Sequence, residues 1–257
     1  MQTPPYAAYP RPLPPKGVRI DAIFQEAWQL IKADLGTWVL TTLVFFVCFA
    51  VVYGLMMGID VMLGFGASDV RPFNPLSLIL TYVVAFLANG VYLTLIAGMA
   101  HMGIKQAMGQ SYGLSDLFAA TPRIGTVIVA TFLTLILVYI GMIACLLPGL
   151  VVNGLLFLTP LIIFMQGKGP VEAMKLSWET LKPYLWPATG FAIAFPIVAG
   201  IGVLLCGVGI LLTFPFYPIG MGLLYRDMFM RTDDLVATGP IDGIPPMDSP
   251  YQRPPSP

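Results

Sequence analysis

The sequence predicts an all-α integral membrane protein with about six transmembrane helices, arranged as three hairpins with amphipathic helices at the cytoplasmic interface. Three observations support this fold class. Hydrophobic residues make up 57% of the chain and charged residues only 10%, against roughly a quarter charged in ordinary soluble domains. The apolar residues fall in runs long enough to cross a bilayer, which takes about 20 residues. The positive residues fall almost entirely on one side of the resulting layout.

Six apolar segments are predicted to span the membrane. Proline and glycine divide the longer apolar runs, because proline cannot continue a helix and glycine permits a tight turn. On this basis Leu147-Pro148-Gly149 separates the third span from the fourth, and residues 206–209 (Cys-Gly-Val-Gly) separate the fifth from the sixth. The predicted spans are 37–61, 76–104, 124–146, 149–165, 184–205 and 208–228.

The two ends of the chain and the positive residues predict the orientation. Six of the 24 prolines lie in residues 1–17 and seven in residues 239–257, so we expect disordered tails at 1–17 and 232–257 around a membrane domain at 18–231. With a cytoplasmic N-terminus, twelve of the 13 Lys and Arg residues lie in the cytoplasm and only Arg71 outside. Membrane proteins generally keep positive residues inside. This predicts a multi-pass protein of the cell (inner) membrane with both termini cytoplasmic.

Amphipathic segments precede two of the predicted spans. Apolar residues recur at three- and four-residue spacing in residues 20–35 and 170–182, which indicates helices lying on the cytoplasmic surface of the membrane. The two segments match at a constant offset of 150 residues, which indicates an internal repeat. The matched positions are Trp28, Lys32 and Leu35 in the first copy and Trp178, Lys182 and Leu185 in the second. Residues 113–125 form a weaker third copy.

The candidate site residues are those that hold helices together or anchor them. Ala50, Gly54 and Gly58 form a ridge of small residues, which permits close helix packing within the chain or with a second subunit. Asn89 and Asn153 are the strong polar residues near mid-membrane, where an amide either cross-links helices or contacts a substrate. Aromatic rings favour the membrane interface. The predicted interfacial anchors are Trp28, Trp38, Trp178 and Trp186.

Familiar reactive chemistry has no support in the sequence. The net charge is zero, so there is no basic surface to bind nucleic acid. One histidine, His101, and three scattered cysteines cannot form a multi-histidine or paired-cysteine metal site. No metalloprotease, nucleophile-elbow, P-loop or dinucleotide-binding motif is present. We therefore predict no enzyme activity, cofactor or metal. A membrane enzyme would require acidic residues to gather at one site, namely Asp60, Asp69, Glu172 or Glu179.

Residues 147–181 carry a resemblance to a known group. They contain a proline-glycine turn, an apolar stretch with an internal proline, and a glycine followed by an xEAxxxSW helix. This combination resembles bacterial polytopic membrane proteins related to the membrane domain that accompanies some glycerophosphoryl diester phosphodiesterases. The matching residues are Pro148, Gly149, Pro160, Gly169, Glu172, Ala173, Ser177 and Trp178, and Tyr225, Arg226 and Asp227 resemble that group's closing helix. The resemblance covers about residues 20–230 and implies a six-helix membrane fold. It implies no hydrolase activity, because no phosphodiesterase domain is present.

Two functions follow from these features. The first is a non-enzymatic structural or accessory component of a membrane assembly, whose partners are the lipid bilayer and other membrane subunits or further copies of the chain. The alternative is a transporter or channel for a small or lipid-like solute. A water-accessible cavity lined by Asn89, Asn153 and threonines would favour transport, whereas closed hairpins with exposed apolar flanks would favour assembly.

Overall fold

Every regular element in the described part of the chain is a helix. The computed structural model describes residues 17–62, 75–204 and 209–230. The α-helices are α1 (Ile20–Ala33), α2 (Leu35–Met62), α3 (Pro75–Ala107), α4 (Leu114–Leu117), α5 (Ile124–Ala144), α6 (Leu146–Leu155), α7 (Thr159–Gln166), α8 (Pro170–Leu181), α9 (Leu185–Ile201), α10 (Ile210–Thr213) and α11 (Phe216–Phe229). The predictions for the proline-rich tails, the loop around Arg71 and the bend at Cys206 lie outside the described residues.

Within the residues that the structure describes, five segments are long and apolar enough to cross a membrane, as expected of a membrane-embedded protein. They are Leu35–Leu55, Tyr82–Ala107, Leu114–Ile143, Leu146–Gln166 and Pro170–Ile201. The predicted sixth span, 208–228, falls on α10 and α11, which Pro215 separates into two short helices. The all-α fold is therefore confirmed for the described residues, and its long apolar helices are compatible with a helical membrane protein, while the count of six and the hairpin arrangement stay predictions.

A short helix followed by a break and a long helix occurs three times. Helix α1 leads into α2 through Asp34, which has a non-helical backbone. Helix α4 leads into α5 through the 3₁₀ turn Thr121–Arg123, and α8 leads into α9 through the 3₁₀ turn Lys182–Tyr184. Trp28 lies in α1 and Trp178 in α8. The matched tryptophans of the sequence repeat therefore lie in equivalent short helices, and the matched Leu35 and Leu185 begin the long helices α2 and α9 that follow.

Helix α11 lies at the centre of the fold. All of its residues from Pro218 to Met228 are buried, and it packs against α1, α3 and α9. Glycine permits these close contacts, since a Cβ at Gly222 would collide with the carbonyl oxygen of Ala100 and one at Gly220 with the ring of Phe195. Small residues are the usual means by which helices approach closely where lipid removes the hydrophobic drive.

The bend between the third and fourth spans differs from the prediction. The chain turns at Cys145, whose backbone is extended (φ −174°, ψ 155°), rather than at Leu147-Pro148-Gly149. Pro148 instead lies in the first turn of α6, where a missing N–H costs little because it would have no acceptor within the helix. Gly149 packs against Gly141. A Cβ added at Gly141 would lie only 3.0 Å from the backbone N and Cα atoms of Gly149. The proline and glycine therefore fit the start of α6 and its contact with α5.

The fourth span is a broken helix, which the sequence analysis did not predict. Helix α6 ends at Leu155 and α7 begins at Thr159, with residues 156–158 in turns between them. Pro160 explains the break, because its ring lacks an N–H and would clash with the carbonyl group of Leu156 in a continuous helix. Residues 156–158 lie near the middle of the Leu146–Gln166 span.

Candidate functional site

A cavity of about 220 Å³ lies beside the break in the fourth span. It is enclosed by α3, α5, α6, α7 and α11, and most of its lining is apolar. Six lining residues carry hydrogen-bonding side chains, and none of the lining residues is charged. The six are Asn89, Thr131, Thr134, Asn153, Thr159 and Tyr217.

The hydroxyl group of Thr159 is buried and unpaired at this cavity. Thr159 is 2% exposed, and its Oγ1 has no hydrogen-bond partner among the described residues. Thr94, Thr131 and Thr189 bond to the carbonyl four residues earlier, at 2.8 Å in each case, whereas Thr41 and Thr42 on α2 are, like Thr159, buried without a hydrogen-bond partner in the described chain. Leu155 occupies the corresponding position for Thr159, but the helix is broken between them. An unpaired buried hydroxyl costs about 1–3 kcal/mol, so this group is available to a ligand.

Ser177 supports the broken end of α6. Its Oγ donates a hydrogen bond of 2.6 Å to the carbonyl oxygen of Leu155, and both residues are fully buried. This carbonyl lies at the C-terminus of α6, where no amide of the same helix reaches it. Helix α8 therefore supplies the hydrogen-bond donor for a backbone carbonyl group that has no donor within its own helix because of the break. The sequence analysis named Ser177 only as part of a resemblance.

Asn89 and Asn153 face this cavity. Both are exposed and both line the cavity. The side-chain amide of neither residue bonds to any residue that the structure describes. The predicted packing role therefore has no partner within the described chain and stays a prediction, as does contact with a solute. Their exposure also shows that the cavity communicates with the protein surface.

The predicted ridge of small residues does not pack against another described helix. Ala50, Gly54 and Gly58 are all exposed on α2, and a Cβ added at Gly54 or Gly58 would meet nothing within 4 Å. The close helix contact within the chain occurs elsewhere, for example where a Cβ at Gly154 would lie 2.7 Å from the Cα of Thr189. The packing role of the ridge within this part of the chain is therefore wrong, and a role toward a second subunit stays a prediction.

Three of the four predicted anchors have exposed rings. Trp28, Trp178 and Trp186 are exposed, as an interfacial ring requires. Trp38 is fully buried, and its Nε1 donates a 2.9 Å hydrogen bond to Oε1 of Gln106. The prediction for Trp38 is therefore wrong, because α3 supplies a partner for its N–H inside the protein.

An ion cluster joins α1 to α11. The guanidinium of Arg226 bonds to both carboxylate oxygens of Glu26, at 2.6 and 3.0 Å. It also bonds to Asp227 at 2.6 and 2.9 Å, and Asp227 is 3% exposed. The sequence analysis missed Glu26, whose polar position in an amphipathic helix gave no sign of a partner 200 residues away. Because the guanidinium of Arg226 is bonded to both carboxylates, we interpret the cluster as a structural contact between α1 and α11.

A second polar cluster lies at the junction of α1 and α2. The carboxylate of Asp34 accepts hydrogen bonds from the Thr37 backbone N–H at 3.2 Å and from the Tyr112 hydroxyl at 2.7 Å. Partial burial raises the pKa of Asp34, but these hydrogen bonds outweigh it and place the pKa below the ordinary value of 3.8. Burial and the bond to Asp34 raise the pKa of Tyr112. The cluster therefore favours the charged carboxylate and the neutral phenol.

The predicted absence of metal chemistry stays a prediction. Within residues 17–62, 75–204 and 209–230, no group of three potential metal-binding side chains occurs. His101 lies in α3 with its ring edge-on to Phe164, 5.1 Å between centroids. Of the acidic residues of the alternative enzyme hypothesis, Glu172 and Glu179 are both exposed on α8, Asp60 lies in the last turns of α2, and Asp69 is outside the described residues.

The described chain is an all-helical protein with five helices long and apolar enough to cross a membrane and with a mostly apolar cavity at the break in one of them. Comparison with protein-family models, with curated proteins and with solved structures finds no match. The resemblance to the phosphodiesterase-associated membrane domain therefore stays a prediction.

Proposed function

We propose that this protein is a transporter or channel for a small, uncharged or lipid-like solute. The observation that carries the proposal is the cavity at the break in the fourth span, which is mostly apolar but has six uncharged side chains that can form hydrogen bonds. Its lining combines Asn89, Asn153 and threonines, which is the pattern expected of transport rather than of a closed bundle. The hydroxyl of Thr159 is buried there without a protein partner.

Broken helices inside membranes support this class of function. Non-helical backbone is tolerated at membrane depth only where protein buries it or where it lines a cavity. In many transporters, substrates bind where such broken helices meet near the middle of the membrane. The first turn of α7, with Thr159 and Pro160, borders the cavity. The positive end of the helix dipole then favours an electron-rich oxygen of the solute.

The lining favours an uncharged solute. An ionised group without a counter-charge is costly in the membrane, and none of the lining residues is charged. The hydroxyl groups of a solute need hydrogen-bond partners inside the membrane, since moving one hydroxyl group from water into a solvent without hydrogen bonds costs about 4–8 kcal/mol. Amide and hydroxyl side chains replace those lost bonds. A solute with several hydroxyl groups is therefore the kind that benefits most from this cavity.

The proposed topology places the protein in the cell (inner) membrane with both termini cytoplasmic. It rests on the positive residues, twelve of 13 of which lie on one side of a six-span layout. In this arrangement α10 and α11 together form the sixth span.

A structural or accessory role in a membrane assembly is a second, non-enzymatic candidate. The outward ridge of Ala50, Gly54 and Gly58 favours it, because small residues on a free face permit close approach of another helix. The occupant would be another membrane subunit or a second copy of the chain. The two roles are compatible, since α2 does not line the cavity.

Cysteine accessibility tests the proposed cavity. Thr134 lines the cavity and Phe132, two residues away on α5, does not and is 52% exposed. In a chain with Cys48, Cys145 and Cys206 replaced by alanine, we expect Thr134→Cys to react with a hydrophilic maleimide at least tenfold faster than Phe132→Cys. The reason is that maleimides react with thiolates in water. Equal, slow labelling of both would overturn the proposed function.

A further inference from the structure

We propose that the solute is a single-chain lipid with an uncharged head that carries several hydroxyl groups. The head occupies the cavity at Thr159, and the tail crosses Leu156 into a groove between α5 and α8. This inference rests on the proposed function and names the chemistry of its solute.

A second opening lies next to the cavity. It has a volume of about 390 Å³ and runs between α5 and α8. Leu156 lines both openings and is 4% exposed. Leu156 also lies in the non-helical residues between α6 and α7. One side chain on the broken segment therefore separates the cavity from the groove.

The groove has the chemistry of a site for an acyl chain. Leu133, Ile136 and Leu137 of α5 form one wall, and Val171, Met174 and Trp178 of α8 form the other. Its two charged residues, Lys175 and Glu179, have opposite signs. The groove therefore offers a long apolar surface and no net charge to hold an ionic group. Its position next to the cavity, with only the Leu156 side chain between them, makes it the site for the tail of a solute whose head lies against the polar side chains of the cavity.

The cavity has the chemistry of a site for a hydroxylated head. Amides of Asn89 and Asn153 both donate and accept, and the Thr159 hydroxyl does the same. At about 220 Å³, the cavity exceeds the roughly 150 Å³ that holds benzene in an engineered protein cavity. A sugar-sized or glycerol-sized head therefore fits.

Amphiphiles with one tail and different heads test the inference. The probes are dodecyl glucoside, dodecyl sulfate and dodecyltrimethylammonium, each with bromine atoms in the tail, added to the full chain in phosphatidylcholine nanodiscs. Trp178 lines the groove, so a bound tail quenches its fluorescence. We expect saturable quenching by the glucoside, with affinity at least tenfold higher than for either ionic probe, and loss of this quenching in Trp178→Phe.

Two substitutions separate the head from the tail. Thr159→Val is expected to weaken glucoside binding about tenfold, while Thr42→Val, at a buried threonine of α2 whose hydroxyl is also unpaired among the described residues and which does not line the cavity, leaves it unchanged. Leu156→Trp is expected to fill the passage and weaken dodecyl glucoside binding at least tenfold. The same variant should bind methyl glucoside, which has no tail, as the parent chain does.

The outcomes distinguish this inference from the proposed function. Equal binding of all three heads, or unchanged glucoside binding in Thr159→Val, would overturn the head site. Methyl glucoside binding that equals dodecyl glucoside binding, without Trp178 quenching, would overturn the tail site and leave the cavity intact. Binding of none of the probes together with unreactive Thr134→Cys would overturn the proposed function as well.

Discussion

Removing the Ser177 hydroxyl tests how the broken helix is held in place. In Ser177→Ala the carbonyl oxygen of Leu155 loses a 2.6 Å hydrogen bond. Both residues are fully buried, so water does not replace the lost donor. A buried carbonyl left without a partner costs about 1–3 kcal/mol. We therefore expect the free energy of unfolding to fall by that amount.

Thermal unfolding in mild detergent measures this change. For a domain of this size, 1 kcal/mol corresponds to a shift of roughly 2–4 °C in the unfolding midpoint. A decrease of about 5 °C is therefore the central expectation for Ser177→Ala. Ser115→Ala is the control, because Ser115 is an exposed serine of α4 and exposed substitutions usually stay within about 0.5 kcal/mol. If both variants unfold at the parent temperature, the bond from α8 does not hold the break.

Three further substitutions test the packing and the charges. Arg226→Leu removes the only cation bonded to the buried carboxylate of Asp227 among the described residues and should cost about 3–5 kcal/mol, measured by thermal unfolding; an unchanged midpoint would show that the cluster is not structural. Asp34→Asn should destabilise the chain at pH 7 but not below the pKa of Asp34 in the folded chain. Folding lowers the pKa of this carboxyl group, so the group contributes stability above its unfolded value of 3.8 and loses that contribution as the pH falls. A difference in stability between variant and parent that does not change with pH would contradict this. Gly154→Ala should cost about 1–3 kcal/mol through overpacking, whereas Gly54→Ala, with nothing within 4 Å of its Cβ, should be neutral in the monomer; equal effects would refute the contact.

The fold class could be predicted because it depends on bulk properties of the chain. Long apolar runs exclude most alternatives, since lipid is the solvent that accommodates them. The amphipathic spacing in residues 20–35 also predicted a helix, and the structure has α1 at Ile20–Ala33. These signals are local and need no knowledge of partners.

The broken fourth span was missed because hydropathy averages over residues 149–165. The signal was present in Thr159-Pro160. Proline disfavours a helical conformation in the residue before it, and its ring clashes with the carbonyl group four residues earlier in a continuous helix. The sequence analysis treated Pro160 only as part of a resemblance. A proline in the middle of a predicted span therefore merits its own interpretation.

Partners distant in sequence explain the other differences. Trp38 looked like an interfacial anchor, but its N–H finds Gln106, 68 residues further along the chain. Asn89 and Asn153 were predicted to cross-link helices, with contact to a solute as the alternative, and the sequence does not show which residues surround their side chains. Spacing within one helix does not show which face meets another helix, which is why the ridge of Gly54 and Gly58 was misplaced.

The stability and binding of Thr159→Val together test the central claim, that the cavity keeps an unpaired hydroxyl for a solute. Valine has the shape of threonine without the hydroxyl group, so the variant should be more stable than the parent by about 1–3 kcal/mol and should bind dodecyl glucoside about tenfold more weakly. A gain in stability with a loss of binding is the predicted result. A variant that is less stable, or that binds as the parent does, would show that this hydroxyl serves the fold and not a ligand.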